Sequence, residues 1–161
     1  MSNEIPFEVL IELEENFKHL HQYPETALQE FKTTAFIKEY LENKCSVELL
    51  DLGLETGVLA IIKGDGKYGT VGFRADIDAL PLQEKTTLEY KSKIAGCMHA
   101  CGHDAHTAIL LAFARLLSLN NPFKGNVVFL FQPAEEAEHG GQKVVEAGLF
   151  SKVKIDSFFA L

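Results

Sequence analysis

The sequence predicts an α/β layered fold, and three features predict it. Apolar residues recur at helical spacing in two segments near the N-terminus and in one long central segment. Short apolar runs bounded by glycine, proline or aspartate lie between and after them. The two kinds of segment alternate, which indicates a sheet covered by helical layers. Open sheets of this kind place their ligands beyond the carboxyl ends of the strands.

A first helix is expected over residues 7–20, with Phe7, Leu10, Ile11, Leu13, Phe17 and Leu20 as its apolar side. Pro6 suits its first turn, and Pro24 ends the segment that follows it. A second helix is expected over about 28–43, with Phe31, Ala35, Ile37 and Leu41 inward. Two short strands follow near 47–50 and 58–62, and Gly64-Asp65-Gly66 signals the turn after them. Residues 70–76 read as a buried strand with a polar end, closed by Asp78-Ala79-Leu80-Pro81. A long helix over about 104–119 carries Ile109, Leu110, Leu111, Phe113, Leu116 and Leu117, and Asn120-Asn121-Pro122 closes it. Residues 127–131 form a continuous apolar run, as in a strand covered on both faces. A short helix over 142–147 capped by Gly148 and a last strand over 155–161 complete the order. The sequence stops inside that last apolar run, so the expectation is the front part of a longer chain.

The totals narrow the function. A chain of 161 residues with a formal charge of −8 and no run of Lys and Arg is a poor match to nucleic acid or to an anionic membrane. No stretch approaches the roughly 18 uninterrupted apolar residues of a membrane span, and the acidic start does not read as a signal peptide. Three cysteines, an odd number, suit a reducing cytoplasm better than a disulfide framework.

The chemistry concentrates in residues 97–106, Cys-Met-His-Ala-Cys-Gly-His-Asp-Ala-His. Thiolate and neutral imidazole are ligands for Zn²⁺ and similar ions. Cys101 and His103 are separated by one glycine, so a tight loop brings both to one point. Downstream, Gln132-Pro133-Ala134-Glu135-Glu136 places two adjacent carboxylates at a strand end. One can bind metal while the other takes a proton from water that the ion acidifies. Each feature has a plainer alternative: a buried cysteine beside a capping histidine, and acids in the first turn of a solvated helix. Their combination favours the metal site. Asp76 and Asp78 follow a strand and either orient a ligand histidine or serve turn chemistry before Pro81. Asp104 is a candidate helix cap that also touches a ligand histidine. Cys97 and Cys101 are a rival redox pair, with three intervening residues rather than the two of a thioredoxin motif. Cys45 reads as a core residue, His139 as an exposed loop residue and His19 as surface; His21 is open.

With these residues in place the chain resembles the M20 metallopeptidases, in particular the aminoacylase-like amidohydrolases. The matching segments are His19-Leu20-His21-Gln22-Tyr23-Pro24-Glu25, Phe73-Arg74-Ala75-Asp76-Ile77-Asp78-Ala79-Leu80-Pro81, Met98-His99-Ala100-Cys101-Gly102-His103-Asp104-Ala105-His106 and Phe131-Gln132-Pro133-Ala134-Glu135-Glu136. The resemblance implies a three-layer α/β/α zinc-peptidase-like catalytic domain with a mostly parallel mixed sheet, truncated so that residues 1–161 are its N-terminal part. It implies hydrolysis of the amide bond of an N-acyl amino acid or similar small conjugate. It also implies two divalent ions, Mn or Zn, held partly by Cys101, His103 and Glu136. Glu135 is then the general base, and Asp76 supports the site from behind the ligands. Family members are more than twice as long and carry a lid and dimerisation domain. Two further histidine ligands are expected downstream, the nearer just beyond Leu161, so this chain alone is expected to be weakly active or inactive. The alternative is a non-catalytic folded piece that associates with another chain, or with its own copies, through exposed strand edges.

Overall fold

The computed structural model describes residues 4–65, 67–120 and 124–161. The elements in chain order are α1 (Phe7–Gln22), α2 (Phe31–Lys44), β1 (Glu48–Leu50), β2 (Val58–Lys63), β3 (Thr70–Asp76), α3 (His103–Leu119), β4 (Asn126–Gln132), α4 (Gly140–Glu146), α5 (Leu149–Lys152) and β5 (Ser157–Ala160). Of the expected turn and helix stop, Gly66, Asn121 and Pro122 lie outside the described residues.

The strands form one mixed sheet in the order β1-β2-β4-β3-β5. β4, the apolar run, is central. It is antiparallel to β2 and parallel to β3, and β3 is parallel to β5. Among the described strands only β2 runs against the other four, and it does not form a hairpin with β3, because β4 is inserted between them. β3–α3–β4 is thus a crossover unit, the connection that parallel neighbours require.

Strand alternation assigns the two faces. On one, Val58, Ala60 and Ile62 of β2 and Phe129 and Phe131 of β4 meet Ile37, Tyr40 and Leu41 of α2 and Leu110, Leu111 and Ala114 of α3. On the other, Leu59, Ile61, Val128 and Leu130 meet Val144 and Leu149 from the α4–α5 segment. The result is three layers, helix on sheet on helix. Phe129 and Phe131 are fully buried, and each contributes about 2–3 kcal/mol through removal of its ring from water.

The N-terminal helices depart from the expected apolar faces. Leu28 has φ 59°, a left-handed backbone that interrupts a helix, so α2 starts at Phe31 rather than at 28. Phe31 and Ala35 face outward, and Thr33 and Thr34 take the buried positions. They do so because this turn covers loop backbone that needs hydrogen bonds. The Thr33 hydroxyl donates to Glu25 Oε2 at 2.9 Å, and Thr34 Oγ1 accepts from Gly57 N at 2.9 Å. In α1, Phe7, Leu10 and Ile11 are exposed, whereas Asn16 and His21 are buried with Val9 and Leu20. Ile109 of α3 is also exposed. Gly148, at φ 92°, closes the α4 segment as expected. The single turn α5 beyond it has too short an apolar pattern to be read from sequence. Among the described residues, no helix is long and apolar enough to cross a membrane.

The sheet determines where chemistry is possible. Asp76 and Gln132 are register partners at the ends of β3 and β4. The loops that leave these strands therefore emerge side by side, tied by Ile77 N donating to Gln132 O at 3.0 Å. The start of α3 is fixed beside them by Thr107, whose hydroxyl donates to Asp76 O at 3.0 Å.

Candidate metal centre

Three segments meet at this sheet end: residues 77–80 after β3, the loop into α3, and the turn after β4. Among the described residues, the Cys101 thiol, a His103 ring nitrogen and a Glu136 carboxylate oxygen all lie within 4.8 Å of one another. The loop achieves this through Gly102, at φ 99°, which reverses the chain between the two ligands at no Cβ cost. Glu136 Oε1 is buried with no hydrogen-bond partner among the described residues. A buried acceptor without a donor is costly unless a cation or another group completes it. Glu135 stands beside it, more exposed, with Oε2 3.9 Å from His103 Nε2.

The surroundings favour a cation. His103 Nδ1 donates to Asp78 O at 2.9 Å, and Asp78 Oδ1 lies 3.4 Å from the same nitrogen. That second distance is an ion-pair contact rather than a hydrogen bond, since Asp78 Oδ1 has no hydrogen-bond partner among the described residues. Fixing the proton on Nδ1 leaves Nε2 as the nitrogen whose proton a metal ion would displace. Burial alone would depress the His103 pKa, but the Asp78 side chain and carbonyl and the Asp76 charge outweigh it and raise it to about 9. Burial pushes the Cys101 thiol up, and its contact with Glu136 and the charges of Glu135 and Asp76 add to the rise. A thiol surrounded by carboxylates ionises only when positive charge offsets them, which a divalent ion does.

Asp78, not Asp76, touches His103. The Asp76 carboxylate is paired with the Arg74 guanidinium, both lying on the same strand face, so its influence on His103 is electrostatic. Asp78 is fully buried, and its Oδ2 accepts from Glu136 N at 2.9 Å. Burial pushes its carboxyl up, but His103 and the N–H groups of Glu136 and Glu135 outweigh that and hold it below the ordinary 3.8. One carboxylate thereby links the histidine to the glutamate turn.

Asp104 neither caps α3 nor touches His103. Gly102 occupies the cap position, and Asp104 Oδ2 lies 2.6 Å from Nδ1 of the buried His21, whose Nε2 is 3.3 Å from Glu84 Oε1. The role open for His21 is thus filled inside the protein, and Glu84 is a partner that no sequence pattern indicates. All three cysteines are free: the Cys97 thiol donates to Pro24 O at 3.6 Å, while Cys101 points into the ligand cluster. Cys45 packs at the margin of the core, and burial pushes its thiol to about 11. His139 and His19 are exposed, His19 stacking on Phe36.

His99 is buried next to this centre, with its Nδ1 unpartnered among the described residues. Burial drives its pKa down to about 4 from the ordinary 6.5. The unfolded chain therefore binds this proton more readily than the folded one, and stability is lost as pH falls from about 6.5 toward 4. In chelator, the wild-type chain is expected to lose on the order of 2–3 kcal/mol between pH 7 and pH 4.5 through this group. His99→Gln is expected to lose less by that amount in urea unfolding. Identical acid losses in the two chains would contradict it.

Residues 72–161 match Peptidase family M20/M25/M40. N-acetyl-L-cysteine deacetylase of Bacillus subtilis (strain 168) is 54% identical over 132 residues, 81% of this chain and 32% of that protein. An uncharacterized hydrolase of Staphylococcus epidermidis is 44% identical over 151 residues, 88% of this chain and 37% of the relative. A Bacillus subtilis crystal structure, described as a dinuclear metal binding peptidase from the M20 family, superposes with a TM-score of 0.90 at 43% identity, over 96% of this chain and 43% of that one. The chain spans about a third of the length of these curated relatives. The family match covers more than half of the 161 residues and includes α3, the glutamate turn and all but the first two residues of β3; the chain belongs to Peptidase family M20/M25/M40.

Proposed function

We propose that the chain carries the core of a metal-dependent amidohydrolase centre acting on the amide bond of N-acyl amino acids or similar small conjugates. The observation that carries this reading is the convergence of Cys101, His103 and Glu136 within 4.8 Å. Thiol, imidazole and carboxylate together suit zinc and similar borderline ions. The dinuclear description of the B. subtilis structure supports two divalent ions in a completed site, and zinc or manganese is our proposal for them. The deacetylase name of the B. subtilis relative supports an N-acyl amino acid as substrate.

A divalent ion held there would supply Lewis acidity, polarising the scissile carbonyl and lowering the pKa of attacking water. Glu135 is the proton carrier. It is the more exposed of the two acids and sits beside the ligands without being one of them, so it faces incoming substrate and water. It takes a proton from water and returns it to the leaving amine. Asp78 holds His103 and the backbone of Glu136 in register, and Asp76 contributes charge. Residues 1–161 form the N-terminal part of the catalytic domain, acting in a reducing cytoplasm. With downstream histidine ligands outside this sequence, the chain alone turns over slowly.

In metal-loaded protein, Glu135→Gln is expected to lower residual hydrolysis of N-acetyl amino acids by about 10²–10⁴-fold. Its metal content should match wild type, because Glu135 is not a ligand. Equal hydrolysis by the two proteins would remove Glu135 from the mechanism. Fast turnover by the wild-type chain would overturn the incomplete-centre part.

A second reading has one observation in its favour. Every residue of β5 is exposed, and among the described residues it pairs on one side only, with β3. Such an edge can pair with another chain or a second copy. A light-scattering mass equal to one chain at all concentrations would leave self-association without support.

A further inference from the structure

The turn that carries Glu135 and Glu136 is held at Ala134. This residue has φ 56°, a backbone that alanine rarely adopts unless its surroundings impose it. Its carbonyl accepts from Gly140 N at 2.9 Å, and its N–H donates to Glu30 Oε1 at 2.8 Å. Glu30 lies just ahead of α2, 104 residues away in sequence, and is 0% exposed. Burial pushes its carboxyl above the ordinary value, while the Ala134 N–H and the Thr56 hydroxyl act against the rise.

The rest of the turn is wedged. A Cβ on Gly140 would stand 1.7 Å from Pro133 O, and one on Gly57 would stand 2.7 Å from Pro133 Cδ. Pro133 is thus packed closely against backbone on two sides, at positions where only glycine fits. The Glu30 hydrogen bond adds a restraint on the orientation of the peptide ahead of Ala134.

We infer that Glu30 is a positioning residue of the metal centre: through the Ala134 N–H its buried carboxyl sets the angle at which Glu136 meets Cys101 and His103. The inference rests on the metal-centre reading above. A buried carboxyl that reaches across the fold to a loop amide, at a non-glycine residue in left-handed conformation, fits the precision that two adjacent acids with different roles require. Two residues on, Glu136 N is held in the same manner by Asp78, so the ligand-bearing turn is clamped from two separate elements.

The test uses cobalt(II) as probe, because its visible spectrum reports both thiolate ligation and coordination geometry. Three variants are compared with wild type. Glu30→Gln keeps an acceptor at the Oε1 position, Glu30→Asp retracts it by one methylene, and Glu30→Ala removes it. Cobalt affinity and spectrum are read on metal-loaded protein, and exchange protection of the Ala134 amide by NMR on metal-free protein. The Gln variant is expected to keep Ala134 protection and to bind cobalt within about threefold of wild type. The Asp and Ala variants are expected to lose Ala134 protection and to bind about 10–100-fold more weakly with altered visible bands, the range seen when a partner behind a ligand is removed. An Asp variant that melts cooperatively yet shows wild-type cobalt affinity and spectrum would overturn the inference, and it decides the matter if the Ala variant fails to fold. Should wild type take up no cobalt, the metal-centre reading fails by itself. Glu30 is then judged on exchange alone: selective loss of Ala134 protection in the Asp variant, with β4 still protected, supports its hold on the turn, and unchanged protection refutes it.

Discussion

Replacing Cys101 by alanine is expected to weaken zinc binding by at least about 100-fold, beyond the 10–100-fold typical of losing a partner behind a ligand. The fold should survive. Cys101 is exposed and contributes nothing to either core cluster, and surface changes of this kind usually stay within about 0.5 kcal/mol. Glu136→Ala is expected to behave alike, since its buried Oε1 has no competing hydrogen-bond partner among the described residues. Competition against a chromophoric chelator, beside urea unfolding in excess chelator, separates lost affinity from lost fold. Zinc affinity within threefold of wild type in both variants would contradict the proposed ligand set.

Asp78→Ala is expected to have the largest effect on stability. The substitution removes a fully buried charged acceptor. It leaves the Glu136 N–H without its partner and His103 without its counter-charge. Removing one member of such a buried set costs about 3–5 kcal/mol, because the remaining polar groups stay dehydrated and unpaired. The pH dependence follows from the depressed carboxyl. Its native pKa lies below 3.8, so the unfolded chain takes the proton first. The contribution is present above that value and is lost as pH falls through the lower native one. Wild type and variant should therefore differ most at neutral pH and converge in strong acid. A difference under about 1 kcal/mol at pH 7 would mean that the three segments do not depend on Asp78.

Much of the fold was legible because its signals are local. β3 coincides with the predicted 70–76, α3 begins one residue before the predicted 104, and β4 extends the apolar run at 127–131 by one residue at each end. These elements are long or doubly covered, so periodicity and continuous apolarity are unambiguous. Reading failed where burial comes from tertiary contact. Thr33 and Thr34 look like surface residues until the loop they cover is known, and Leu28 gives no sign in sequence of its left-handed backbone. Residue chemistry pointed to Cys101, His103 and one of two adjacent glutamates, and the resemblance to the M20 metallopeptidases singled out Glu136. The carboxylates that support the cluster were not legible: Glu30 and Glu84 look like any solvated glutamate. Asp76 and Asp78 are two residues apart, and only the paths of β3 and α3 decide which reaches His103. Alternation did offer one clue, since it puts Arg74 and Asp76 on the same face and so favours their pairing.

X-ray absorption at the zinc edge of the metal-loaded chain reads the ligand set itself. One sulfur at about 2.3 Å is expected together with nitrogen and oxygen at about 2.0–2.2 Å, the sulfur disappearing in Cys101→Ala. A shell of nitrogen and oxygen alone in wild type, or a sulfur that persists in Cys101→Ala, would contradict that ligand set.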